Sequence, residues 1–303
     1  MEYLYTILML MALSVILAAS FNFVIGYGGL ISIAHPVFYA IGAYVSALLA
    51  RDAGVPVALA IPLGAVAALL ASLLVAVPAL RISGDYLLIA SIGFQLGVLE
   101  AIKNMTWTGG AGGLTDIPAL FGRSTGHAVY VALAIVLAAG SVLLLRGITR
   151  SAYGRAMSAL RDDELAFAAL GRNAMMIKLG VFALGAGLAG LAGGLYAHYF
   201  RFLAPDQFDI LQSAALLTIV VVGGMRTVWG PVVGAVVLQA LPQAITFLDL
   251  PPSVLGPLQG ILFTGLVLVF MFVRPAGLIA AGDLWRGAAV PDATAGGDGA
   301  GRA

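Results

Sequence analysis

At 303 residues, 61% hydrophobic and only 10% charged, the chain lies far from soluble domains, which run about 45–50% apolar and about 25% charged. Its few polar residues cannot cover so much apolar surface, so lipid must be its solvent. A formal net charge of +1 argues against nucleic acid as a partner, and the absence of cysteine excludes disulfides, a thiol nucleophile and cysteine-based metal sites.

A membrane crossing needs about 20 apolar residues. Residues 3–25 qualify, and are read as a span and not a leader because no basic residue precedes them. Gly26, Tyr27, Gly28 and Gly29 then break the run before a second span over residues 30–50. Further spans are predicted over 57–80, 86–102, 128–145, 177–199, 210–222, 232–248 and 254–273. The 210–222 segment is short for a full crossing and suits a broken or tilted helix. The predicted architecture is an all-α polytopic transmembrane bundle of about nine spans. Residues 1–282 form the membrane domain, and 283–303, polar and rich in glycine and alanine, a disordered cytoplasmic tail.

The one strongly charged passage within this apolar chain is the loop at about 148–178. Arg146, Arg150, Arg155, Arg161, Arg172 and Lys178 lie at or near it, interrupted by Asp162, Asp163 and Glu164. So many charges must sit in water between two spans, and their basic excess places them on the cytoplasmic side. The same orientation puts eleven of the fifteen basic residues inside, leaving Arg51, Lys103, Arg123 and Arg201 outside. The amino terminus is then outside and the carboxyl terminus cytoplasmic. A re-entrant turn at 26–35 would change the span count by one. Within the loop, Gly154 can mark a turn and residues 155–160 suit a helix. Asp162 or Asp163 can cap a second short helix over 164–170, and Gly171 falls where an αL residue would end it. Such an element is either a positive-inside anchor or a docking surface.

Other motifs divide between packing and polar roles. Gly185, Gly187 and Gly190 match the G-x-G-x-x-G dinucleotide fingerprint in letters, but lie in an apolar helix with no βαβ context. Gly187, Gly190 and Gly194 are therefore read as helix-packing positions, where small residues let backbones approach. No P-loop occurs, so ATP hydrolysis by the chain itself is not expected. His35 follows the 26–29 break; it is either a structural histidine or a contact on a polar path, with Asn22, Tyr27 and Ser32 sharing its cavity. Glu100 and Lys103 are spaced for an i,i+3 pair, and His198 suits an interfacial aromatic belt beside Tyr196 and Tyr199. The three histidines sit in separate segments without metal-ligand spacing, and Asp85, Asp116, Asp206 and Asp249 fall in loops or at helix ends. Neither a metal site nor an enzyme is expected.

The string from Tyr153 to Asn173, YGRAMSALRDDELAFAALGRN, resembles the cytoplasmic coupling loop of permeases of branched-chain amino acid ABC importers, the LivM type in particular. Residues 26–35, Gly42-Ala-Tyr44 and residues 223–234 resemble the same family, so the likeness spans roughly residues 20–280. Thr106 to Asp116 is similar to the family's outer T-G-G-x-x-G-L loop, although Ala111-Gly112 stands where members often carry a polar or acidic residue.

The resemblance implies an ATPase-coupling set of Gly154, Arg155, Leu160, Arg161, Asp162, Asp163, Glu164, Ala168 and Gly171. It also implies a substrate path beside Asn22, Tyr27, Ser32 and His35 and beneath Thr108, Gly109, Gly110 and Gly113. The implied partners are a second, sister permease, two ABC ATPase subunits that bind the ATP, an extracytoplasmic solute-binding protein and the lipid of a bacterial-type inner membrane. No cofactor of its own is implied. Branched-chain or other hydrophobic amino acids are the implied substrates, with urea or short amides as the alternative. An ion-coupled secondary transporter would need an intramembrane carboxylate, for which Glu100 is the one candidate.

Overall fold

A chain immersed in lipid must satisfy its backbone internally, which long apolar helices do. The computed structural model of the protein describes residues 2–79, 85–121, 126–246, 265 and 277–279, and among these the regular structure is helical. The helices are α1 (Glu2–Asn22), α2 (His35–Arg51), α3 (Val57–Ala79), α4 (Asp85–Asn104) and α5 (Gly126–Arg150). They continue as α6 (Ala152–Asp162), α7 (Glu164–Ala169), α8 (Ala174–Phe200), α9 (Ile210–Gly223) and α10 (Gly230–Thr246). Among the described residues, six helical segments are long and apolar enough to cross a membrane. The predicted count of nine is not reached there: α2 has 17 residues, the apolar part of α10 is shorter still, and residues 254–273 fall almost wholly outside the described residues. The predicted tail at 283–303 lies outside them too.

Two boundaries differ from the sequence reading. The first helix does not stop at Gly26; it widens into a π-helix, Phe23–Tyr27, closed by Gly28 N–H donating to the Phe23 carbonyl at 3.0 Å. The second helix begins at His35, not at residue 30, and residues 28–34 are irregular. The short 210–222 span is α9, brought to crossing length by a 3₁₀ turn at Pro205–Phe208.

Helix α1 is the hub. It is largely buried, with Met9, Ile16 and Phe21 enclosed, and it packs against α5, α8, α9 and α10. Helices α2, α3 and α8 form a second, tighter group. A Cβ on Gly190 would stand 2.5 Å from that of Ala68, and one on Gly42 would run into the Gly190 backbone. Gly194 approaches the Ile61 backbone at 3.2 Å, whereas Gly187 faces Leu69 at an ordinary 3.5 Å. Gly190 and Gly194 are thus close-packed positions and Gly187 a looser one. Gly42 and Gly193, which the glycine pattern alone did not single out, belong to the same seam. The opposite face of α3 exposes Leu59, Leu63, Val66, Leu70 and Leu74, as a lipid-facing helix should.

The bundle has two ends. Arg51, Lys103 and Arg201 gather at one, with the 3₁₀ turns Thr106–Thr108 and Gly110–Gly112 and an isolated antiparallel bridge between Leu114 and Leu203. Helices α6 and α7, the π-helical end of α1 and the turn at residues 224–229 lie at the other.

Candidate functional site

The charged loop folds into two capped helices joined by a single extended residue. Ser151 caps α6, its Oγ accepting from Tyr153 N–H at 3.2 Å. Met157 and Leu160, with Gly154, form the buried stripe of α6. Gly154 sits inside the first helical turn and does not mark the turn that the sequence suggested. Its role is close approach, since a Cβ there would strike the Thr149 carbonyl at the end of α5. Of the two candidate caps, Asp163 is the one used: its Oδ1 accepts from Ala166 N–H at 2.9 Å. Gly171 ends the element in the left-handed region, φ 72°, where a side chain would be strained. Asn173 then caps α8.

The inner face of this element is tied to the bundle. Glu164 accepts from Lys178 Nζ at 2.6 Å, so it is bound to α8 as well as facing solvent. The Tyr153 hydroxyl donates to the Ile177 carbonyl at 2.9 Å. Arg161 Nη1 donates to the Gly26 carbonyl. Burial, with the neighbouring Arg226 guanidinium, pulls Arg161 below its usual pKa, and Asp162 opposes the shift. Asp162 approaches Arg226 at 4.0 Å. The outer face has a different character. Leu165 is 84% exposed and Leu170 80%, with Arg155 and Ala168 also open. Leu165 lies within the six-residue α7, and Leu170 is its C-cap.

The residues predicted to share one cavity do not. Asn22 and Tyr27 face a crevice with Phe23, Leu145, Thr149 and Val228, whereas Ser32 and His35 line another with Val24, Phe38 and Phe182. Asn22 acts as a clamp. Its Nδ2 donates to the Thr227 carbonyl at 2.8 Å and its Oδ1 accepts from Arg226 N–H at 3.1 Å, fastening α1 to the α9–α10 turn. His35 Nε2 meets Ser20 Oγ at 2.9 Å, and its ring lies against Phe21.

The irregular residues 28–34 are supported by a polar seam that sequence reasoning missed. Ile33 N–H donates to Ser91 Oγ at 3.0 Å, and Ser213 Oγ donates to the Ile33 carbonyl at 3.0 Å. Gln95 Nε2 reaches Ser213 Oγ at 3.0 Å and the Phe208 carbonyl at 3.1 Å. An uncharged Gln95 inside an apolar span was the available signal.

The glycine loop lies at the far end. Arg51, which ends α2, reaches the Trp107 carbonyl, and helical rise puts His35 about 24 Å from that level. Thr108 is buried, its Oγ1 within 2.7 Å of the Ile102 and Met105 carbonyls. Gly109, Gly110 and Gly113 all take positive φ, and the Gly109 and Gly113 N–H groups close 3₁₀ turns. Gly113 also abuts the Leu203 carbonyl, so the loop is an ordered cap and not a slack strand. Two polar residues take other partners than their spacing suggests. Lys103 pairs with Asp206 at 2.7 Å while Glu100 holds Asn104, because the 3₁₀ turn at 205–208 brings a better partner. His198 is buried between Ser46 Oγ at 2.9 Å and the Pro118 carbonyl at 2.7 Å, and so pins the segment around Pro118 instead of lying at an interface.

A family model described as branched-chain amino acid transport system / permease component matches residues 3–271. The high-affinity branched-chain amino acid transport system permease protein LivM of Salmonella typhimurium strain LT2 is 33% identical over 293 residues, 88% of this chain and 67% of that protein. The high-affinity branched-chain amino acid transport system permease protein BraD of Pseudomonas aeruginosa is 27% identical over 286 residues, 87% of this chain and 90% of that protein. The autoinducer 2 import system permease protein LsrC of Salmonella typhimurium is 28% identical over 196 residues, 60% of this chain and 54% of that one. No solved structure matches the chain.

Proposed function

The chain belongs to the branched-chain amino acid transport permease family, and from that premise we propose that it moves branched-chain or other hydrophobic amino acids across a bacterial-type inner membrane as one permease subunit of an ABC importer. The partners are a second permease, two ATPase subunits that bind and hydrolyse the ATP, and an extracytoplasmic binding protein. The chain itself does no chemistry and holds no cofactor. The end bearing α6 and α7 faces the cytoplasm, and the amino terminus lies outside.

The observation that carries this reading is the exposed outer face of α7 and its C-cap. Leu165 and Leu170 stand free beside charged residues on a capped element that is fastened to the bundle by its other face. A rigid apolar knob with a charged rim fits a groove on a soluble subunit, where buried aliphatic anchors supply affinity and rim charges supply register. The substrate path runs from the capped outer loop past the polar seam to the irregular residues before His35. The unwound backbone and the hydroxyls there offer weak dipoles to a zwitterion's ends, and the surrounding apolar side chains suit its aliphatic part.

Purification through an affinity tag from the native membrane tests both parts. The complex should retain ATPase and second-permease subunits. In it, single cysteines replacing Ser32 or His35 should react with a water-soluble thiol reagent in one nucleotide state and resist it in another. A chain that purifies alone contradicts the subunit assignment, and cysteines inert in every state of a functional complex contradict the path.

A further inference from the structure

We infer that Arg161 is the residue through which the docking element grips the first membrane helix, so that movement of α6 is passed to the π-helical end of α1. The inference deepens the proposed function and rests on it, since only an attached ATPase would move α6.

Three features of the geometry point to Arg161. The first is the carbonyl that it holds. Beyond the π-helix, Gly29 N–H donates to Ile25 at 3.1 Å and Leu30 N–H to Val24 at 3.2 Å, so neither reaches the Gly26 carbonyl. That carbonyl takes its donor from Arg161. A freed carbonyl at the edge of an apolar bundle needs a donor, and a guanidinium supplies the stronger, charge-assisted kind. The second is the arginine stem, which lies across Gly29. That residue has φ 67°, and a Cβ there would stand 2.7 Å from Arg161 Cγ. Head and stem therefore engage the same break. The third is the neighbourhood. Asp162 approaches Arg226, whose N–H is held by Asn22, so the last turn of α6 meets α1 and the α9–α10 turn together.

The rest of the element suits a lever. Helix α6 is 11 residues long, seated at its start on the end of α5 through Gly154 and at its finish on α1 through Arg161. Arg155 is exposed and Glu164 is committed to Lys178, so neither competes for that contact. Arg161 is thus a positioning residue that faces the bundle, distinct from the leucines that face a partner.

The test uses the whole importer, reconstituted with its ATPase and binding-protein subunits, and reads substrate molecules moved per ATP hydrolysed. Arg161→Met keeps the stem over Gly29 and removes the donor; Arg161→Ala removes both. Each should retain the ATPase subunits and the hydrolysis seen without binding protein within about twofold, yet lose about tenfold in transport per ATP, the scale of one charged hydrogen bond. Arg161→Lys, which can still donate to the carbonyl, should recover at least half of the wild-type ratio. A purely structural role would lower complex yield and hydrolysis together and would leave the ratio unchanged. Wild-type transport per ATP in Arg161→Met overturns the inference. So does loss of the ATPase subunits from that variant, which would make Arg161 a docking residue. Failure of the wild-type chain to hold ATPase subunits overturns the proposed function itself.

Discussion

Gly190→Leu is expected to abolish the assembled protein. The added side chain would have to enter a seam where a Cβ alone already stands 2.5 Å from Ala68 Cβ and 3.1 Å from Ala65 Cα. On the facing side, Gly42 packs its own backbone onto that of Gly190. Lipid gives these helices no hydrophobic reason to stay together once they are forced apart, because tails are as apolar as leucine. Overpacking a close-packed interior ordinarily costs about 1–3 kcal/mol, and a leucine between two backbones falls at or above the upper end. The yield of monodisperse protein in mild detergent should therefore fall at least tenfold. Two controls separate packing from a general intolerance of substitution. Gly187→Ala meets nothing nearer than Leu69 at 3.5 Å, and Gly140→Ala meets nothing within 4 Å, so both should purify normally. Wild-type yield and thermal stability in Gly190→Leu would refute close packing of α2, α3 and α8.

The second large effect is expected at the exposed leucines. Leu165→Asp combined with Leu170→Asp should insert and fold as the wild type does, since both side chains are four-fifths exposed or more. Buried against a partner, each leucine would contribute about 1.5–3 kcal/mol, so the pair corresponds to at least about a hundredfold in affinity for the ATPase subunit. Rim charges carry less. Arg155→Ala removes an exposed cation, and such surface contacts are worth about 0–1 kcal/mol. Glu164→Lys is a poor probe of docking, because it would also set two cations against each other at the Lys178 contact. Co-purification of ATPase with the double-aspartate chain at wild-type stoichiometry would remove α7 from the interface.

How much of this was legible beforehand depends on the range of the interaction. The second short helix follows from local chemistry: Gly171 stands where helix-end rules put it and Asp163 is one of the two caps they allowed, whereas Gly154, read as a turn, lies inside α6 because its role is a close approach to α5. Gly190 and Gly194 were readable for a similar reason, because small residues one turn apart in an apolar helix have few other uses. Helix lengths followed from hydropathy as far as residue 246, but boundaries at 23–35 did not. A π-helix keeps the apolar composition of an α-helix and leaves no mark in periodicity. Long-range partners were the least readable. Asn22 could be seen as polar and intramembrane, but nothing local said that it would clamp Arg226 and Thr227, some two hundred residues away. Likewise, Lys103 left its neighbour Glu100 for Asp206 only because the fold delivers that carboxylate. The grouping of Asn22, Tyr27, Ser32 and His35 failed for a related reason. Sequence proximity does not say on which side of α1 each residue falls.

As proposed, this chain passes amino acids through the membrane under the drive of attached ATPases. Uptake into proteoliposomes tests it most directly. The complete complex should be reconstituted with ATP on the side bearing α6 and α7 and with the loaded binding protein on the other. Labelled leucine, isoleucine or valine should then accumulate against its gradient, and accumulation should cease when either ATP or the binding protein is withheld. Accumulation by the chain without ATPase subunits, driven by a proton or sodium gradient alone, would contradict the account.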